Sequence, residues 1–136
     1  MKTRVFLFLL LGLLLAACDG AADTAVSPQI DLAQLADTID VQTTNAIRQN
    51  PDVVLIDVRE QWEFDEGHIP GVTLIPLGEV PNRLHEIPTD KTVVVTCRSG
   101  NRSGQAVEFL RANGFDNVHN MAGGILAWEQ AGFSVE

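Results

Sequence analysis

Apolar positions in this chain follow patterns that divide it from end to end. Near the start lies an unbroken apolar run, "VFLFLLLGLLL" (Val5–Leu15), preceded by Lys2 and Arg4. Further on, the apolar stretches become short and continuous: "DVVLIDV" (Asp52–Val58), "GVTLIPL" (residues 71–77) and "KTVVVTC" (residues 91–97). Runs of this length, rich in β-branched residues and flanked by Asp, Gly, Pro or Lys, are the pattern of strands buried on both faces of a parallel sheet. "TIDV" (38–41) and "DNVHNM" (116–121) predict two further short strands. Between strands the spacing changes to helical. In "SGQAVEFLRANG" (Ser103–Gly114), Ala106, Val107 and Leu110 share one face and Gly114 supplies a C-terminal cap. "TTNAIRQN" (43–50), with a Thr cap, and "GGILAWEQAG" (123–132), closed by Gly132, predict shorter helices, and "GEVPNRLHEIP" (78–88) holds one or two helical turns. Strands alternating with helices predict an α/β domain with a parallel sheet.

The first run is of a different kind. A basic start, an apolar stretch too short to span a bilayer comfortably and the small residues that follow it predict an export signal over residues 1–17. "LAAC" (Leu15–Cys18) resembles the lipobox of bacterial lipoproteins, which implies lipidation of Cys18 as the first mature residue. Residues 18–38, rich in Ala, Asp, Ser and Thr without a basic residue, predict a flexible tether with one helical turn near Leu32–Leu35. The folded domain is then expected over 39–136, placed in the cell envelope outside the cytoplasm and held to the membrane by lipid.

Charge narrows the partners. The 136-residue chain carries a formal charge of −9, which becomes −11 once residues 1–17 take Lys2 and Arg4 with them. An acidic body has no basic face for nucleic acid or for an anionic membrane surface. Of the chain's 2 cysteines, Cys18 is assigned to lipid, so Cys97 becomes the lone thiol of an exported protein.

Cys97 stands where a predicted strand ends and a helix begins, in "TCRSGNRSG" (Thr96–Gly104). Open α/β sheets bind ligands at that edge. Amides of a tight Gly loop and the positive end of the helix favour an anion there, and Arg98 and Arg102 add full charges. This combination predicts a thiolate at Cys97 near neutral pH.

"LIDVREQWEFDEGHIPGVTLIPLGEV", the cysteine loop and "GGILAW" together resemble a single-domain rhodanese, a thiosulfate sulfurtransferase-like family, from Ile39 to the C-terminus. The resemblance implies a three-layer fold with a five-stranded, mainly parallel sheet and no cofactor. It implies that Cys97 takes up a sulfane sulfur as a persulfide and passes it to a thiol or cyanide. Arg98, Ser99, Gly100, Asn101, Arg102 and Ser103 would bind the donor, an anion such as thiosulfate, with Arg102 either touching substrate or tying the loop down. Rhodanese-related phosphatases and arsenate reductases place five residues between cysteine and arginine, whereas four separate Cys97 from Arg102. The narrower ring suits sulfur better than a tetrahedral oxyanion. Asp57 and Arg59 are expected to be structural, and His68 to fix a turn. His68, His85 and His119 lack metal-ligand spacing, so no metal is expected. Trp62 and Trp128 are expected in packing or in a cleft wall, and the protein is expected to be a monomer. A binding or sensing module on the same fold, and a thiol redox or phosphatase-like enzyme, are the competing readings.

Overall fold

The computed structural model describes residues 29–136; the signal segment 1–17, Cys18 and the tether up to residue 28 lie outside the described residues. Five strands, β1 (Thr38–Ile39), β2 (Val53–Asp57), β3 (Thr73–Leu74), β4 (Thr92–Thr96) and β5 (Val118–Met121), form one sheet in the order β1-β5-β4-β2-β3. Every pairing is parallel. The helices are α1 (Val41–Ile47), α2 (Gln61–Glu66), α3 (Asn101–Ala112) and α4 (Gly124–Gln130), with 3-10 turns at Leu77–Asn82 and Leu84–Glu86.

The pleat divides the sheet's side chains between two cores. Ile56, Val93 and Val95 face Ala106, Val107 and Leu110 of α3, with Val80 and Ile87 of the 3-10 turns. Val53, Leu55 and Val94 face the other way, onto Val41 and Ile47 of α1 and Trp128 of α4. Successive residues of a strand point to opposite faces, so a strand covered by helices on both sides must be apolar throughout. That is why the runs in β2 and β4 do not alternate. The outcome is the α/β three-layer architecture with five parallel strands.

Three local expectations change. The strand expected over 38–41 ends at Ile39, because the Asp40 carboxylate accepts from the Thr43 amide at 2.7 Å and starts α1 at Val41. Asp40, and not a threonine, is the cap. Helix α2 was absent from the sequence reading; it begins with a capping box in which Glu60 and Glu63 exchange side-chain and backbone bonds. Residues 29–38 also pack differently from a free tether. Leu32 and Leu35 lie against the second core, Arg111 pairs with Asp37 at 2.6 Å, and the Ala36 carbonyl accepts from His119 Nδ1 at 2.7 Å. The physical reason is the edge of β5, whose Asn120 and Ala122 amides donate to Asp37 and Ile39 at 2.9 and 2.8 Å and would otherwise stay unpaired.

Candidate active site

Central strand β4 delivers Cys97 to the C-terminal edge of the sheet, and the chain turns at once into α3. Gly100 makes that turn with φ +93°, a conformation that disfavours a side chain, and a Cβ there would sit 3.0 Å from the Gly123 amide nitrogen. The turn aims amides back at the sulfur. Gly100 N–H donates to Cys97 Sγ at 3.1 Å and the Ser103 hydroxyl donates to it at 3.3 Å. Cys97 is only 1% exposed.

Burial is the strongest single influence on the Cys97 thiol and opposes ionisation. The Ser103 hydroxyl and the amides of Ser103, Ser99 and Gly100 together outweigh it, so the thiol sits below its ordinary value. The two arginines, expected to lower the thiol, are not among these influences. Arg102 makes a bidentate ion pair with Glu63, at 2.7 Å through each nitrogen, and its attraction to Cys97 is secondary to that pair. The pairing pulls the Glu63 carboxyl down to about 2 against its own desolvation. Glu63 also accepts from the Glu60 amide at 3.0 Å, which fixes it to the first turn of α2.

A second glycine pair holds the loop from behind. Ile125 and Leu126 donate their amides to the carbonyls of Cys97 and Arg98 at 2.9 and 3.2 Å, so the start of α4 is bonded to the cysteine loop. Gly124 allows that approach: a Cβ on it would collide with Cys97 O and stand 2.6 Å from Arg98 C. Asn120 donates to Gly100 O at 3.2 Å and completes the brace.

The remaining expected residues sort cleanly. Ser99, Gly100 and Ser103 surround the sulfur, and Arg98 is exposed in a cleft of about 240 Å³ beside the loop. Trp62, Glu66, Leu126 and Glu129 line the same cleft. Asn101 is occupied by Gln105 along α3. Asp57 and Arg59 form a buried pair, with Arg59 N–H groups also donating to Glu63 O and Gly67 O at 3.2 and 2.8 Å. They splice the end of β2 to both ends of α2. His68 stacks on Phe64, donates from Nδ1 to Phe64 O at 3.0 Å and pairs its backbone with Glu136. Trp128 is buried and donates to Ser134 O, while Trp62 is the cleft wall. No group of three His, Cys, Asp or Glu able to hold a metal occurs among the described residues. Glu63 was the residue missed by sequence reasoning; the Glu60-x-x-Glu63 spacing was its only signal.

A parallel sheet covered on both faces, with a thiol seated in backbone amides at the end of its central strand, defines an α/β protein with a candidate site at that edge of the sheet. The chain belongs to the Rhodanese-like domain family, which matches residues 40–131. It is 43% identical over 84 residues to a protein named sulfurtransferase from Allochromatium vinosum, covering 62% of this chain and 78% of that protein. It is 31% identical over 93 residues to the thiosulfate sulfurtransferase GlpE of Pseudoalteromonas translucida, covering 68% and 89%. A rhodanese-related protein of Thermoplasma volcanium superposes with a TM-score of 0.69 at 32% identity, covering 74% of this chain and 98% of that one.

Proposed function

We propose that this protein moves a sulfane sulfur from thiosulfate or a related persulfide donor to a thiol or cyanide, through a persulfide on Cys97. The Cys97 thiolate attacks the outer sulfur of thiosulfate; the donor's S–S bond breaks and sulfite leaves with the electron pair. The terminal sulfur of the persulfide carries the negative charge. An acceptor thiolate or cyanide attacks that sulfur, the Cys97 S–S bond breaks, and the thiolate returns. Amides of Ser99, Gly100 and Ser103 are already oriented before charge arrives, so they stabilise the anion without reorganising. Arg98 is the cation available to an incoming dianion.

The observation that carries this reading is the cradle itself: a buried thiol whose hydrogen-bond donors overcome its desolvation. The names of the relatives support sulfur chemistry, and the four-residue spacing from Cys97 to Arg102 supports sulfur over phosphate. We also propose that the protein is exported and lipid-anchored through Cys18, on the strength of the apolar run and "LAAC".

Mass spectrometry after thiosulfate treatment tests the enzyme reading. The expected result is one added sulfur, about 32 Da, removed by cyanide or dithiothreitol and absent in Cys97→Ser. Hydrolysis of a small aryl phosphate is expected near background. A wild type that takes no sulfur from any sulfane donor, or a Cys97→Ser protein that still transfers it, overturns the proposal in favour of a binding module.

A further inference from the structure

Outside the cradle, the cleft beside the cysteine loop holds the most exposed large apolar side chain among the described residues. Trp62 is 64% exposed, although its neighbour Glu63 anchors the same turn of α2 to Arg102. Leu126 of α4 lines the same cleft and is 36% exposed. Neither lies on a mobile tail: α2 is spliced to the sheet by Arg59, and α4 is bonded to the cysteine loop.

Charge in this cleft is divided by depth. On its buried side, Arg59 is paired with Asp57 and Glu63 with Arg102. On its exposed side, Glu66 comes from α2 and Glu129 from α4, and neither is in an ion pair among the described residues. Arg98, next to Cys97 in the chain, is the cation there. A small dianion is drawn to Arg98. A larger molecule reaching Cys97 across the cleft also meets two carboxylates and an indole face. That set favours an aliphatic or guanidinium side chain that can stack on Trp62 while its charge lies near Glu66 or Glu129. Cys97 is the only cysteine among the described residues; with Cys18 carrying lipid as proposed above, the acceptor thiol comes from another molecule.

Resting on the sulfur-transfer reading, we infer that this cleft docks the sulfur acceptor, and that the acceptor is a protein cysteine flanked by Lys or Arg. Small anionic thiols are the poorer acceptors. Specificity between donor and acceptor then comes from the sign of the neighbouring charge: Arg98, next to Cys97 in the chain, selects the anion, and Glu66 and Glu129 select the basic partner.

The test loads Cys97 of the full chain with thiosulfate, removes the donor, and follows discharge to two cysteine peptides of equal length, one Lys-flanked and one Glu-flanked. Cyanide is the control acceptor. The Lys-flanked peptide is expected to discharge the persulfide about two- to fivefold faster at low salt, the effect of one exposed ion pair, with the gap closing at high salt. Glu66→Lys with Glu129→Lys is expected to reverse the order of the peptides, and Trp62→Ala to lower the peptide rate relative to the cyanide rate. Equal peptide rates, or an order that the double variant leaves untouched, overturn the docking inference while cyanide discharge keeps sulfur transfer intact. A protein that never loads sulfur overturns both.

Discussion

The sulfur of Cys97 is buried, which works against its charge, and yet its donors hold the thiol below its ordinary value of 9.0. The balance rests on identifiable atoms. Sulfur uptake follows the thiolate, so its rate is expected to rise with pH and to reach half-maximum below pH 9.0. Ser103→Ala removes the largest of the lowering contributions and leaves the desolvation in place, so the midpoint is expected to move upward. An unchanged midpoint in that variant would mean that the amides alone set the thiol. Cys97→Ser carries a second consequence. A solvent-facing loop would have made it nearly free, whereas the side chain belongs to the core under α3, so the more polar hydroxyl is expected to cost about 1–3 kcal/mol. Chemical denaturation beside the sulfur assay separates that loss from the loss of the nucleophile.

Between elements, two joints hold the site. One is the contact of α4 with the cysteine loop through Gly124. Gly124→Ala sets a methyl against Cys97 O and Arg98 C at a residue with φ +58°, so a loss of about 2 kcal/mol or more is expected, with sulfur uptake falling alongside it. Gly132→Ala meets no atom within 4 Å and is the control for φ strain alone. The other joint is Glu63–Arg102, which ties α2 to α3. The Glu63 carboxyl falls from 4.5 to about 2 on folding, so the bridge contributes its full stability above pH 4.5 and loses it as pH falls toward 2. The linked contribution is on the order of 3 kcal/mol. Denaturation at stepped acid pH is expected to show that loss in the wild type and to show it missing in Glu63→Gln, which is already the weaker protein at pH 7. The helical joint was invisible in hydrophobic periodicity because α2 is six residues long, with Trp62 turned outward and Glu63 inward. Its polarity pattern is inverted by the ion pair.

At the scale of the whole molecule, the proposal of export and lipid anchoring rests on residues 1–18. No helix among the described residues is long and apolar enough to cross a membrane; the lipid anchor proposed at Cys18 is open to a direct test. In a bacterial host the full chain is expected in the membrane fraction, and Cys18→Ala is expected to release it or block its processing; a soluble wild type cleaved elsewhere would remove the anchor.

Much of this protein could be derived from the chain alone. The β-branched runs of β2 and β4, the face of α3 and the glycines around Cys97 are local signals, because burial on both faces and a left-handed turn each demand particular residue types. The cysteine at the end of β4, its loop and the parallel sheet were therefore legible. What only the tertiary structure decided are pairings between residues distant in sequence. Arg102 belongs to Glu63, 39 residues away, and its attraction to the Cys97 sulfur is secondary to that ion pair. His119 belongs to Ala36, 83 residues away, which draws part of the expected tether onto the edge of β5. A charge is a property of one residue, but whether it is free to act depends on which partner folding brings within hydrogen-bond distance.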